Sequence, residues 1–404
     1  MIRAGLFLYD HLARRELLPG SGRIDLQNHR AGSALKEGYS TGFVYSDARV
    51  DDARLVVSCA LDAAARGARI FTRTRCQAAV RQNGYWHARL ERRDGEVLNA
   101  RARCLVNAAG PWVAQFQHLV DPGRHERPIR LDKGSHIVVK KLFDHPYAYI
   151  FQHTDGRIVF AIPYERDFTL IGTTDVEFHG DPDRVEIDEQ EIAYLCELCG
   201  RYFRQPVTPA DVIWAYSGVR PLVEDAAADP SAVTRDYHLE LDDEGAPILS
   251  IFGGKVTTFR KLAEEVVDHL APLLRPPRPA AWTAYACLPG GDFAGERASN
   301  QSVLSFADYL ARALQAYPWL PRDLGERYFR AYGTRIHLLL NDCRAMADLG
   351  RELLPGLFEA EAKYWMRYEW AHTAADMLWR RSKLGLHTSA QGEALLDSWI
   401  AAQR

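Results

Sequence analysis

The segment Ser250 to Leu262, SIFGGKVTTFRKL, has the composition of a chemical junction. An apolar run able to form a buried strand ends in Gly253 and Gly254, and an amphipathic run begins with two threonines able to cap a helix. A strand-to-helix junction of this kind points unpaired backbone N–H groups and the positive end of a helix dipole at whatever lies above it, which suits a developing negative charge. Glycines permit close approach, and Lys255 and Thr257 sit in the same turn. The same letters also serve an ordinary strand-to-helix turn, and taken alone they do not separate the two.

A second junction of the same form runs from Cys104 to Trp112, CLVNAAGPW. It reads as one buried strand ending at Gly110, with Pro111 suited to the first turn of a helix. Asn107, Ala108, Ala109 and Gly110 leave room beside a sheet end, for a ligand or for tight packing. The third signal is a set of basic residues in turn-like surroundings: His136 in KGSHIVV, Arg220 in SGVRPL, Arg235 in TRDY and Lys255 in GGKVTT. Two converging guanidiniums make the usual fork for a phosphate or carboxylate, although for each residue taken separately a surface or structural ion pair is the commoner role. Cys196 and Cys199 form a CxxC within an amphipathic run, Glu189 to Tyr202. With no second pair and no nearby histidine, core packing is the reading, and no metal is expected.

The elements that would carry these residues follow from periodicity. MIRAGLFLYDHLARRELLPG reads as an amphipathic helix and turn, and DDARLVVSCALDAAARGARI as an aspartate-capped helix closed at Gly67. ARIFTRT reads as a short strand. GYWHARLE and VLNARARCLVNAAG, joined by Arg-Asp-Gly, read as a meander feeding the strand at Leu105. Between Arg130 and Gly180, SHIVVKK, AYIFQHT, RIVFAIPYE and FTLIGTTD predict a second, antiparallel sheet. The proline-rich stretch LLRPPRPAAWTAYACLPGGD marks a linker, and the sequence beyond about Asn300 is helical in pattern throughout.

The chain has 404 residues, too many for one ordinary core, with 47% hydrophobic and 25% charged residues, the balance of a globular protein. Its formal net charge of -3, with both signs mixed along the chain, offers no basic field for nucleic acid. Seven cysteines at irregular spacing, with no signal peptide, favour a reducing, cytoplasmic location.

Taken together and in order, YSDARVDDARLV, NAAGPWV, GSHIVV, IGTTDVE with GDP, SGVRPL, TRDY and FGGKVTTFRKLAE resemble the flavin-dependent glycerol-3-phosphate dehydrogenases of aerobic respiration. The resemblance extends to LPGG and to YWMRYEWAHTAADMLWRR near the C-terminus. It implies an α/β FAD-binding Rossmann-like domain of the glutathione-reductase/D-amino-acid-oxidase type lacking its first βαβ unit. It also implies an antiparallel-sheet substrate domain inserted at about 125–235 and an all-helical C-terminal domain over 281–404, after an oxidoreductase region over 1–280. The implied reaction is oxidation of sn-glycerol 3-phosphate to dihydroxyacetone phosphate, with electrons passed to membrane quinone. Arg220 and Arg235 would grip the phosphate, and Lys255 and His136 would lie near the reacting carbon, with His136 favoured as base. Asn107, Ala109, Gly110, Gly253, Gly254, Lys255 and Thr257 would line the flavin. The other implied partners are the cytoplasmic face of the inner membrane, in peripheral contact, and a second copy of the chain as a homodimer.

The family's chain opens with a strand, a GxGxxG turn and a helix that hold the cofactor diphosphate. Here GSG at Gly20 to Gly22 lacks the third glycine and a preceding strand. The expectation is a chain that starts inside the family's first domain, through a start assigned too far downstream or a gene that has lost its beginning. As written it would hold little FAD and dissolve poorly, which absorbance in the flavin bands would test. A catalytically inactive remnant and a related flavin oxidase of amines or amino acids stand as the alternatives, the latter having no need of paired arginines.

Overall fold

The computed structural model describes residues 2–12, 16–123, 128–153, 155–223, 236–275 and 281–403. The chain divides into two compact units, one built from Ser21–Tyr45 and Arg73–Pro279, the other from Met1–Gly20, Ser46–Thr72 and Ala280–Arg404.

The first unit carries all the residues singled out for chemistry. Its short antiparallel ribbon pairs β1 (Gly22–Asp25) with β2 (Thr41–Val44). A meander of β3 (Thr74–Gln82), β4 (Tyr85–Arg92) and β5 (Val97–Ala102) follows, turning at Asn83-Gly84 and Asp94-Gly95, where both glycines have positive φ. The expected strand ARIFTRT is not formed: Arg73 takes a left-handed φ of 55°, which no β-strand accommodates, and pairing starts only at Thr74. β6 (Leu105–Asn107) lies parallel to β14 (Ile248–Gly253), which pairs on its other side with β13 (Tyr237–Asp242). β6 is shorter and less covered than the expected buried strand, with Val106 43% exposed on the sheet edge.

The antiparallel sheet is centred on β7 (Ile129–Lys140). One side of β7 pairs with β10 (Phe168–Gly172) and β11 (Val176–Phe178), the other with β12 (Trp214–Val223) along its length. β9 (Ile158–Tyr164) and β8 (Tyr149–Gln152) extend the sheet beyond β10. Side chains alternate between faces. Ile137, Val139 and Ile171 point to one face, the back, where α4 (Glu189–Tyr202) buries Leu195, Cys196, Leu198 and Cys199 against them. α4 starts at a complete capping box, Asp188 accepting from the Glu191 amide and Glu191 from the Asp188 amide. The two cysteines are therefore core residues, and burial pushes the Cys199 thiol up to about 12. Two helices complete the unit: α3 (Val113–Val120) after β6, and α5 (Phe259–Leu274) after β14.

The second unit contains α1 (Ile2–His11) and α2 (Asp52–Ala65), the latter capped by Asp51 accepting from the Arg54 amide as the sequence predicts. The chain past the linker adds α6 (Ser302–Ala316), α7 (Arg322–Tyr332), α8 (His337–Leu340), α9 (Glu359–Tyr368) and α10 (Ala390–Ala401). It is not wholly helical. β15 (Glu352–Leu354) and β16 (Leu357–Phe358) make a small ribbon around Gly356, whose φ is 75°. The expected long helix through YWMRYEWAHTAADMLWRR breaks at Trp370, with φ 52°, and resumes as a π-helix over Asp376–Arg381. Buried ion pairs tie the unit together. The Glu369 carboxylate accepts two bonds from Arg54, at 2.5 and 3.0 Å, and Glu361 accepts two from Arg327, both 2.7 Å. No described helix is long and apolar enough to cross a membrane.

Candidate active site

The front face of the antiparallel sheet, opposite α4, holds His136 and Arg220. Directly paired residues on neighbouring antiparallel strands share a face. Hence His136 shares this face with Gly172 of β10 and Tyr216 of β12, Gly134 shares it with Gly218, and Asp132 with Arg220. His136 and Arg220 thus lie in the middle of strands, not in the turn-like surroundings expected of them. The alternation within KGSHIVV and YSGVR already contains that outcome, since strict period two sends Gly134 with His136 and Tyr216 with Arg220.

Glycines shape this face. The imidazole of His136 lies over Gly172, where a Cβ would stand 2.2 Å from Cδ2 and 2.8 Å from Nε2. On its other side the ring stacks on Tyr216, centroids 5.0 Å apart and planes within 6°. Tyr216 is backed by Trp214 at 4.9 Å. The Arg220 guanidinium reaches back over Gly134 and donates to Thr173 Oγ1 at 3.4 Å, with Asp175 at 3.5 Å as its counter-ion. It is partly exposed, so an incoming anion can compete for it.

Behind this face the back-facing residues of the same strands are locked. Ser135 Oγ donates to Glu191 Oε1 at 2.9 Å and meets Ser217 Oγ at 2.8 Å, and Thr174 Oγ1 donates to the same Glu191 oxygen at 2.6 Å. Lys133 sits 2.8 Å from the other Glu191 oxygen. Burial alone would lower the Lys133 ammonium, but Glu191 and Asp188 outweigh it and hold it above its ordinary value.

The two junctions meet this sheet at a common end. β14 runs parallel to β6, so both deliver their loops at the same, C-terminal sheet edge. Gly253 and Gly254 have φ of 73° and 103°, and a Cβ on Gly253 would be 3.4 Å from the carbonyl of Pro221, the residue after Arg220. The glycine turn therefore abuts the strand that carries the arginine. Lys255 and Thr257 are exposed beside it. The threonines do not cap α5 as expected: Thr258 Oγ1 donates backwards to the Lys255 carbonyl at 2.8 Å, and neither the 3-10 turn over Val256–Thr258 nor α5 has a side-chain cap. The Thr258 and Phe259 amides instead bond back to the Lys255 and Val256 carbonyls, so it is the amides ahead of them, at Val256 and Thr257, that face whatever lies above the turn. At the other junction, Asn107 is a buried brace. Its amide donates to the Val113 carbonyl at 2.9 Å and to Ser250 Oγ at 3.3 Å, while its oxygen accepts from the Ala109 amide at 3.4 Å. Ala109 and Gly110, with φ 55° and open space at the Cβ position, border a cavity of about 1920 Å³. Arg235 lies outside the described residues.

These residues fit the ring end of a flavin. Two loops at one sheet edge, glycines with no Cβ to obstruct approach and an uncapped helix start suit the electron-rich edge of the isoalloxazine. For the diphosphate the sequence holds no GxGxxG turn. Among the described residues no cluster of His, Cys, Asp or Glu could hold a metal.

The fold and this site define a flavin-dependent oxidoreductase, and comparison with known proteins agrees: residues 6–260 match the family described as FAD dependent oxidoreductase, and residues 281–402 match the C-terminal domain of alpha-glycerophosphate oxidase. The chain is 48% identical over 407 residues to a glycerol-3-phosphate dehydrogenase of Pseudomonas aeruginosa, covering 100% of this chain and 77% of that one. It is 44% identical to a D-erythritol 1-phosphate dehydrogenase of Brucella abortus, covering 99% of this chain and 78% of that one. Its fold superposes with a TM-score of 0.80 and 25% identity on the glycerol-3-phosphate dehydrogenase of Bacillus halodurans, solved in complex with FAD, over 94% of this chain and 75% of that one. The chain belongs to the FAD-dependent glycerol-3-phosphate dehydrogenase family. That membership accounts for the three parts of the molecule, a flavin-binding region, an inserted antiparallel sheet and a mainly helical C-terminal region.

Proposed function

We propose that this protein oxidises sn-glycerol 3-phosphate to dihydroxyacetone phosphate on the front face of the antiparallel sheet and passes the electrons to a quinone. The observation that carries the reading is the placement of His136 and Arg220 on one sheet face, with the Gly253–Lys255 turn packed against the strand of Arg220. Arg220, joined by Arg235, binds the phosphate through charge-assisted hydrogen bonds and orients the polyol. His136, held over Gly172, accepts the proton of the C2 hydroxyl as the carbon is oxidised. Lys255 lies beside the glycine turn and neutralises charge that develops there. FAD, when bound, supplies the acceptor for the hydride leaving C2. The glycine turn and the Val256 and Thr257 amides that follow it would hold its ring. The exposed Phe7, Leu8 and Leu12 of the first helix and its tail fit peripheral contact with a lipid surface on the cytoplasmic side, and a homodimer remains part of this reading.

A four-carbon polyol phosphate is the second reading, favoured by the 44% identity to the erythritol-phosphate enzyme. Steady-state reduction of a quinone analogue decides among these. Turnover with glycerol 3-phosphate at a kcat/KM well above that with erythritol phosphate, glycerol or an amino acid supports the proposal. Preference for the longer polyol phosphate transfers the assignment to the second reading. An amino-acid substrate, or no turnover in FAD-saturated protein, overturns both.

A further inference from the structure

His136 is flanked on its sheet face by two neighbours whose arrangement bears on how a base on a flat sheet keeps one orientation. An imidazole in the middle of a strand can turn about χ1 and χ2, and one with open space on both sides ordinarily samples several rotamers. Here Gly172 and Tyr216, the partners of His136 on the two flanking strands, restrict that freedom, with Trp214 one step along the second of them. Gly172, on β10, supplies an empty position into which the ring leans, so close that a Cβ would overlap Cδ2, Cγ and Nε2 at 2.2, 2.6 and 2.8 Å. Tyr216, on β12, lies parallel to the ring from the opposite strand at 5.0 Å and 6°. Trp214, next along the same face of β12, packs on Tyr216 at 4.9 Å and 32° and restricts the phenol in turn.

We infer that Tyr216 and Gly172 are positioning residues that hold the His136 ring in a single orientation at the reacting carbon. The inference rests on the assignment of His136 as the base, and it goes beyond that assignment by naming what fixes the base. The pair acts by shape. Tyr216 supplies a flat face, so phenylalanine should serve as well as tyrosine, whereas an aliphatic side chain of similar bulk should not. Gly172 supplies a vacancy, so the smallest substitution fills it.

Full-length protein labelled with 13Cε1-histidine, with the His136 resonance assigned by His136→Gln, reads the ring directly. Tyr216→Phe is expected to leave that resonance within a few hundredths of a ppm of its original position. Tyr216→Leu and Gly172→Ala are expected to shift it and broaden it, while the other histidine resonances stay in place and so report an intact fold. In FAD-saturated protein, Tyr216→Leu is expected to lower kcat about tenfold with KM for glycerol 3-phosphate little changed, and Tyr216→Phe to restore it. An unmoved His136 resonance in both Tyr216→Leu and Gly172→Ala overturns the inference. So does a loss in Tyr216→Phe equal to that in Tyr216→Leu, because shape would then not be the cause. If His136→Gln keeps full turnover, the base assignment fails instead, and the spectra still decide whether these neighbours hold the ring.

Discussion

The guanidinium of Arg220 lies over Gly134, and a Cβ at that glycine would stand 2.6 Å from Nη2 and equally close to Thr173 Oγ1. Nη2 is the far end of a flexible side chain and the Thr173 hydroxyl can turn about χ1, so Gly134→Ala should displace these two groups more than it destabilises the sheet. The expected outcome is a KM for the phosphate substrate raised about tenfold, with kcat and melting temperature nearly unchanged. Arg220→Ala should cost more, about 1.5 to 3 kcal/mol in kcat/KM for a hydrogen bond to a charged group. Binding of glycerol 3-phosphate by calorimetry, with and without the substitutions, checks both.

Behind the same strands, Glu191 gathers bonds from Ser135, Thr174 and Lys133. Glu191→Ala leaves a buried ammonium with only Asp188 and the Glu186 carbonyl. The expected loss is about 2 to 4 kcal/mol, below the full value for stranding a buried charge because those two partners remain. Urea unfolding followed by tryptophan fluorescence measures it. Asp188 adds a pH dependence. The Glu191 amide, then Lys133, holds its carboxyl below the usual range, so its contribution is present above the unfolded value near about 4 and is lost as pH falls below it. Asp188→Asn should flatten that acid limb.

In the other unit, Glu361 is fully buried and accepts from both ends of the Arg327 guanidinium and from the Tyr332 hydroxyl. Glu361→Ala should cost about 3 to 5 kcal/mol, because the arginine is left buried without its counter-charge. Limited proteolysis should then cut within 300–402 well before the sheet unit is attacked, and equal susceptibility of the two regions would contradict this.

Thiol chemistry separates the cysteines. Cys196, Cys199 and Cys343 are buried, whereas Cys59, Cys76, Cys104 and Cys287 are partly accessible. With the Cys199 thiol raised to about 12 by burial, folding keeps it protonated. That contribution is complete below the unfolded value and is lost as pH climbs through about 12. Iodoacetamide at pH 8 should modify the partly accessible group first, as read by peptide mass spectrometry, and leave Cys196 and Cys199 untouched until the protein unfolds.

Sequence periodicity was a good guide where one face is buried. The run Glu189 to Tyr202 is a helix with those limits, and the strands between Arg130 and Gly180 pair as one antiparallel sheet. It failed where a single backbone angle decides. Arg73 and Trp370, both at positive φ, end segments whose side chains would otherwise continue a strand or a helix. The ribbon around Pro355-Gly356 carried a turn signal that the surrounding helical pattern obscured. At the site, His136, Arg220 and the glycine turns stand out by residue type. Gly172, Gly134, Tyr216 and Thr173 do not, since their importance comes from register between strands far apart in the chain, and no local pattern specifies register.

Gly253 comes so near the backbone of its neighbours that a Cβ there would stand 3.0 Å from the Asp236 carbonyl oxygen and 3.4 Å from that of Pro221. The approach is of main chain to main chain, so no change of rotamer at Arg220 or Lys255 alters the separation of the glycine turn from the strand that bears Arg220. With Arg220 on the phosphate and the turn on the flavin, as proposed, the two would act as the jaws of a caliper of fixed gauge. Under that assignment, substrates would differ in length only beyond the oxidised carbon, where a longer polyol phosphate would extend its extra hydroxymethyl group.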